Sequence, residues 1–311
     1  VNTIKEIGEC ELIHRLSAFL PDDASVICGA GDDCAVVRSP NDPTHDLLLT
    51  SDAVMMNCHF TPDTPAIDVG RKAIARPLSD IAAMGGEASW ALINLVAPPD
   101  TQDAFIEDLY RGAVEMSGAH GLTICGGDTA SGDALAMHVF VVGSVPRDQA
   151  VLRSGANPGD PLFVTGALGG QYQSQLSPLE PRLRQGQWLR DWANAMIDIS
   201  DGAATDVRHL AEESGVGFKL DSRQIPISDE AAVLPDSKSL LEHALTDGED
   251  YELLFTVPAE REEAFSAAWA ANFELDCTHI GKATARANHI ELETAEGKSV
   301  VLSATGYDHF S

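Results

Sequence analysis

The sequence predicts an α/β protein with mixed α+β sheets in two domains, and three observations carry that expectation. Apolar strand-like runs alternate with helical periodicities in both halves of the chain. A polar, turn-rich passage interrupts the alternation near residue 150, where Val145-Pro146-Arg147-Asp148 and Asn157-Pro158-Gly159-Asp160 stand close together. The 311 residues, 44% of them hydrophobic, suffice for two cores of ordinary size. The expected domains are residues 1–150 and 151–311.

In chain order, residues 47–50 read as a buried strand that ends in Ser51-Asp52. From about Pro65 to Met84, Ile67, Ile74, Leu78 and Ile81 share one helical face, and Gly85-Gly86 stops the helix. Pro77 is expected to kink it, with Asp80 just beyond. Residues 90–96 read as a strand broken by Pro98-Pro99-Asp100. A helix follows, with Phe105, Leu109 and Ala113 on its apolar side and Gly121 at its close. Residues 122–125 form a short strand with Gly126-Gly127-Asp128 directly after it, and residues 135–142 give the clearest strand signal. Beyond the boundary come a strand at 162–165, a mobile Gly/Gln/Pro/Arg-rich connection over 166–187, and a helix over about 183–194. Met196-Ile197 leads into Asp198-Ile199-Ser200-Asp201, and a helix opens at Gly202. A helix near 240–245, a strand at 251–257 and a helix near 260–271 complete the pattern.

The formal net charge of −28 argues against nucleic acid or an anionic membrane as partner. Most acidic residues are expected to serve solubility alone. Six cysteines, at positions 10, 28, 34, 58, 125 and 277, lack the short spacings of zinc or redox pairs. A reducing cytoplasm is the expected compartment. No apolar run reaches spanning length, and no basic, apolar leader is present.

Five short acidic stretches read as loops or element ends: Gly31-Asp32-Asp33, Thr50-Ser51-Asp52, Ser79-Asp80, Gly126-Gly127-Asp128 and Asp198-Ile199-Ser200-Asp201-Gly202. Each sets a carboxylate beside a glycine or a small hydroxyl residue. Several carboxylates gather at low cost only around hard cations, and glycine lets backbone N–H groups approach an anion. Such parts suit a nucleotide polyphosphate with magnesium. Each stretch also has a purely structural reading. Asp32-Asp33 suits a tight turn, Asp52 a helix cap or turn, Asp80 an ion pair with Arg76 one turn earlier, Gly126-Gly127-Asp128 a hairpin turn, and Ser200 or Asp201 a helix cap. The phosphate-loop lysine motif, the dinucleotide glycine fingerprint, the kinase catalytic loop and the Gly-x-Ser-x-Gly elbow are all absent from the sequence.

These stretches, in this order, resemble the thiamine-monophosphate kinase family, related to aminoimidazole ribonucleotide synthetase and selenophosphate synthetase. The likeness runs nearly end to end, from Gly8-Glu9 through Gly31-Asp32-Asp33-Cys34-Ala35, Lys72-Ala73, Leu78-Ser79-Asp80-Ile81-Ala82-Ala83-Met84-Gly85 and Arg153-Ser154-Gly155-Ala156. His59-Phe60, Gly248-Glu249-Asp250-Tyr251-Glu252 and the closing Gly306-Tyr307-Asp308-His309-Phe310 distinguish the kinases from the wider family.

The resemblance implies the aminoimidazole ribonucleotide synthetase-like fold, with an N-terminal domain that binds ATP and magnesium and pairs across a homodimer. It implies direct in-line transfer from ATP to thiamine monophosphate, assisted by several Mg2+ ions, without a covalent nucleophile or general base. By matching position, Asp33, Thr50, Ser51, Asp52, Asp80, Asp128, Asp198 and Asp201 would serve the metals, with Asp32 a further candidate. Tyr110, Gly127, Asp128, Arg153 and Ser200 would contact ATP. His59, Glu249 and Tyr307 would line the acceptor site. The sequence departs from the family at Asp247, where a second glycine is usual, and in a shorter connection after Gly169-Gly170. The alternatives are another ATP-dependent member acting on a different phosphorylated or amide substrate, and a non-catalytic nucleotide or thiamine-phosphate binder.

Overall fold

The computed structural model describes residues 3–171, 179–303 and 306–307. Two short helices, α1 (Ile4–Ile7) and α2 (Glu9–Ser17), precede a six-stranded mixed sheet. Its strands are β1 (Val26–Cys28), β2 (Ala35–Arg38), β3 (His45–Met55), β4 (Glu87–Ala97), β5 (Thr123–Ser131) and β6 (Ala136–Pro146), in the order β1-β2-β3-β6-β4-β5. Only β4 and β5 run parallel, because α4 (Asp103–Ala119) makes the crossover that parallel strands require.

A second, seven-stranded mixed sheet has the order β13-β12-β9-β11-β7-β10-β8. It comprises β7 (Pro161–Thr165), β8 (Ala195–Asp198), β9 (Gly217–Asp221), β10 (Leu253–Thr256), β11 (Cys277–Thr284), β12 (Ile290–Glu293) and β13 (Ser299–Val301). The helices beside it are α5 (Leu183–Leu189), α6 (Ala203–Ser214), α7 (Leu240–Thr246) and α8 (Glu262–Asn272). The fold is therefore α/β in two domains with two mixed sheets, as the alternation of periods predicts.

The long helix α3 (Ala66–Ala83) joins the two sheets. Ile74, Leu78 and Ile81 are fully buried, and Gly85 in the left-handed region follows its end. The helix continues through Pro77 without a break. Its contact with α4 is backbone to backbone. A Cβ on Gly70 would lie 1.8 Å from the Leu109 carbonyl oxygen, and one on Gly112 would lie 1.8 Å from that of Ile67. Gly112→Ala therefore forces the helices apart, at an expected cost of about 1–3 kcal/mol. Thermal unfolding of the variant checks this, with an unchanged midpoint contradicting the close approach.

Two acidic stretches differ from expectation. Thr50-Ser51-Asp52 lies inside β3, which continues to Met55 because β6 pairs with it along its whole length. Gly126-Gly127-Asp128 is the middle of β5 rather than a turn after a strand. As an edge strand, β5 tolerates glycines that would weaken a central one. Helix α5 also ends at Leu189, short of the expected 194.

Candidate active site

Carboxylates from three distant parts of the chain meet. The loop before β2 supplies Asp33, the last turn of α3 supplies Asp80, and the end of β8 supplies Asp198. Oxygen atoms of the three lie within 4.8 Å of one another. Thr50, on β3, donates its hydroxyl to Asp80 at 2.5 Å, and Ser79 donates to Asp198 at 2.6 Å. The Arg153 guanidinium reaches Asp33 at 2.5 Å, while its backbone N–H donates to Asp32 at 3.1 Å.

Burial, then the neighbouring Asp33, pushes the Asp198 carboxyl up to about 8. Burial and Asp33 likewise push Asp32 up to about 7. Asp80 is driven well above the carboxylate range, by burial first and then by Asp52, Asp198 and Asp33. Oδ2 of Asp33 is buried without a hydrogen-bond partner among the described residues. Like charges crowded in a dry place resist ionisation, and an added cation reverses that. The donor set is all oxygen, which fits a hard divalent ion such as magnesium.

Asp52 shares a face of β3 with Thr50, by the two-residue alternation of a strand. Its carboxylate pairs with Arg76 at 3.0 Å. Arg76 also pairs with Glu249 at 3.0 Å, so the expected Arg76–Asp80 pair gives way to one that crosses between elements. Ser51 is exposed on the opposite face of β3. Asp128 is level with Asn94, Asn94 with His138, and His138 with Ala53, which puts Asp128 on the face opposite Asp52. Asp128 is exposed there, apart from the buried group. Gly127 allows β5 to approach β4, since a Cβ would lie 1.7 Å from the Ile93 carbonyl oxygen. Tyr110 borders a shallow groove on α4 with Glu107, Arg111 and Val114, and none of the aspartates lines it.

His59, Glu249 and Tyr307 line one cleft with Ser200, Asp201 and Arg76. His59 is buried, and its Nδ1 accepts the Met55 backbone N–H at 3.0 Å. Glu249 has a φ of 57° and is held by Lys72 at 2.5 Å as well as by Arg76. The Tyr307 hydroxyl lies 3.1 Å from the Cys58 sulfur. Asp308, His309 and Phe310 of the closing motif lie outside the described residues, as do residues 172–178 of the connection after Gly170.

Asp201 joins Asp206 and His209 in a second close group. Spacing hints at these two only in hindsight, as neighbours three apart on α6. Gly202 caps α6 without any side-chain bond, so the capping role considered for Ser200 or Asp201 is not observed. Asp247, the departure from the family pattern, is fully engaged. It accepts from the Gly170 backbone at 3.0 Å, lies 2.7 Å from His243, and pairs with Lys238 at 2.7 Å. Its charge is compensated, and it clips the Gly169-Gly170 turn.

Two mixed sheets, a joining helix and a buried carboxylate group beside a cleft define the class. The chain belongs to the AIR synthase related family, whose N-terminal domain model matches residues 31–145 and whose C-terminal domain model matches residues 173–292. Within that family its full-length likeness is to thiamine-monophosphate kinases. It is 35% identical to that of Escherichia coli K12, over 98% of both chains. It is 34% identical to that of Aquifex aeolicus, over 99% of both. The solved structure of AaThiL complexed with AMPPCP and TMP superposes with a TM-score of 0.85 at 31% identity, covering 99% of both chains.

Proposed function

We infer that this protein is an enzyme that transfers a phosphoryl group from ATP to thiamine monophosphate and yields thiamine diphosphate. The observation that carries the reading is the link through Arg76, which lines the cleft with His59, Glu249 and Tyr307 and pairs with Asp52, whose charge acts on Asp80 of the Asp33–Asp80–Asp198 group. The full-length kinase relatives support the same assignment.

Several Mg2+ ions would be held by Asp33, Thr50, Asp52, Asp80 and Asp198 on the buried side, by Asp201 in its own group, and by Ser51 and Asp128 on the opposite face of the first sheet. When bound, they supply charge neutralisation for the ATP phosphates and the acceptor phosphate. Gly127, Asp128, Arg153, Ser200 and Tyr110 are proposed for ATP, and His59, Glu249 and Tyr307 for the acceptor. The protein's own part is positioning. Ser79 and Thr50 hydroxyls aim the Asp198 and Asp80 carboxylates, and the Met55 amide fixes the His59 ring. An acceptor that is already an ionised phosphate requires no strong base, which agrees with in-line transfer by positioning and electrostatics. The exposed Tyr307 ring suits packing against a flat or cationic heterocycle.

The division proposed is an ATP, magnesium and pairing domain over residues 1–150 and a C-terminal α/β domain over 151–311. The outer face of the first sheet exposes Leu49, Trp90, Leu92 and Phe140, an apolar patch fit for a second copy of the chain. A homodimer is the proposed state, with the cytoplasm as its compartment. No helix among the described residues is long and apolar enough to cross a membrane. Trp90→Glu is expected to convert the dimer to monomer at micromolar concentration, read by light scattering; a wild-type monomer rules the pairing out.

The deciding experiment follows ADP release from ATP and magnesium with and without thiamine monophosphate, with the product resolved by chromatography. Thiamine diphosphate formed only when all three are present is the expected result. Saturable ATP binding without product would assign the fold to a different acceptor.

A further inference from the structure

Arg76 carries the one guanidinium or ammonium group among the described residues that line the cleft. Its other charged lining residues, Asp201, Asp247 and Glu249, are acidic. Asp247 and Glu249 already have counter-ions in Lys238 and Lys72, so a phosphorylated acceptor entering the cleft meets its lining cation at Arg76, apart from any bound metals. The guanidinium is planar and forked, the shape that engages a phosphate through two parallel hydrogen bonds.

In this structure both arms of the fork are occupied. Nη1 donates to Glu249 and Nη2 to Asp52, each at 3.0 Å. These two carboxylates are the ones expected to be claimed by other cations in the loaded enzyme, Glu249 by the thiazolium of the acceptor and Asp52 by magnesium. Glu249 also keeps Lys72, at 2.5 Å, so it is not stranded when Arg76 lets go. The guanidinium stays close to its station because the Tyr251 ring lies beside it, with the central carbon 5.8 Å from the ring centroid.

We propose that Arg76 binds the phosphate of the acceptor, exchanging its carboxylate partners for that phosphate as metals and substrate load, and so selects a phosphorylated over an unphosphorylated thiamine. The inference rests on the function proposed above and adds a specificity-determining residue to it. Arg76 does not take part in bond making. It places the attacking phosphate oxygen and offsets its charge.

The test compares the full-length protein with Arg76→Gln and Arg76→Lys. Steady-state rates of thiamine diphosphate formation are measured with thiamine monophosphate and ATP varied in turn. Calorimetric affinities for thiamine monophosphate and for thiamine are measured alongside. Loss of a charge-assisted contact predicts a rise of about tenfold or more in KM for thiamine monophosphate in Arg76→Gln, with KM for ATP changed by less than about twofold. The affinity ratio of thiamine monophosphate to thiamine should fall by a similar factor, and Arg76→Lys should lie between. An unchanged ratio, or equal weakening toward both thiamines, makes Arg76 a structural cross-link between Asp52 and Glu249 and overturns the proposal. If Arg76→Gln fails to fold, Arg76→Lys carries the same comparison. If the wild-type protein forms no thiamine diphosphate, the functional assignment falls, while the calorimetric ratio still decides the role of Arg76.

Discussion

Asp198→Asn is expected to fold, to gain thermal stability without metal at pH 8, and to lose about a thousandfold in turnover. The loss follows from removing one carboxylate from the Asp33–Asp80–Asp198 group. Metal-assisted charge neutralisation contributes several kcal/mol to a transfer transition state, and ~4 kcal/mol is about a factor of a thousand. The gain follows from the same crowding. The Asp198 carboxyl holds its proton to about 8 in the fold, against 3.8 as its ordinary value. The folded metal-free protein therefore binds more protons than the unfolded chain between these values. Its contribution to stability is complete below about 4 and is lost as the pH rises through about 8. Asparagine has no charge to form, so that pH dependence should shrink. Unfolding scans in chelator at pH 5 and pH 8, with and without added magnesium, read the effect. Wild-type turnover by Asp198→Asn would remove Asp198 from the metal assignment.

Arg182→Ala should lower the unfolding midpoint by roughly ten degrees and leave the carboxylate group intact. Glu252, directly before β10 of the second sheet, is buried at 5% exposure. It accepts from Arg182 at 2.9 and 2.5 Å and from the Thr165 hydroxyl at 2.5 Å. Removing one partner of a buried pair leaves the other charge uncompensated, at about 3–5 kcal/mol. For a chain of this size each kcal/mol moves the midpoint by roughly 2–4 °C. The second change Glu252→Gln in the Arg182→Ala background should recover part of the loss, because a neutral amide needs no counter-ion. If the double variant is no more stable than the single one, the charge is not what matters.

The sequence carries the long elements clearly because their apolar periods are long. Helices α3 and α4 and strands β4 and β6 lie where the periodicities put them, within a few residues. The short strands β9, β11, β12 and β13 stand out less. Each holds three to eight residues, and an alternation as brief as Phe218-Lys219-Leu220-Asp221 or Ile290-Glu291-Leu292-Glu293 becomes a strand only with its long-range pairing. Polar content also hid the true extent of β3 and β5. Thr50 and Asp52 look like a strand end on composition, yet they face the helix that carries Asp80 and Arg76.

For the candidate site, the aspartates were legible as residue types beside small neighbours, whereas their meeting in space rests on tertiary packing. Arg76 shows the limit best. Spacing on a helix suggests Asp80 as its partner, but Asp52 and Glu249, 24 and 173 residues away, are the ones it finds. The group of Asp201, Asp206 and His209 was missed because only Asp201 stands in a recognisable stretch.

Four successive points along α3 tie it to distant parts of the molecule. Lys72 reaches the His59 carbonyl and Glu249, Arg76 reaches Asp52 and Glu249, Ser79 reaches Asp198, and Asp80 receives Thr50. The helix thus works as a gauge whose markings are set by length. Deleting a single residue between Lys72 and Asp80 would turn everything beyond it by about 100° and shorten the span by about 1.5 Å. The contacts beyond the deletion would then be out of step with those before it. An engineer redesigning this stretch is free to exchange its outward side chains but not to add or remove a position.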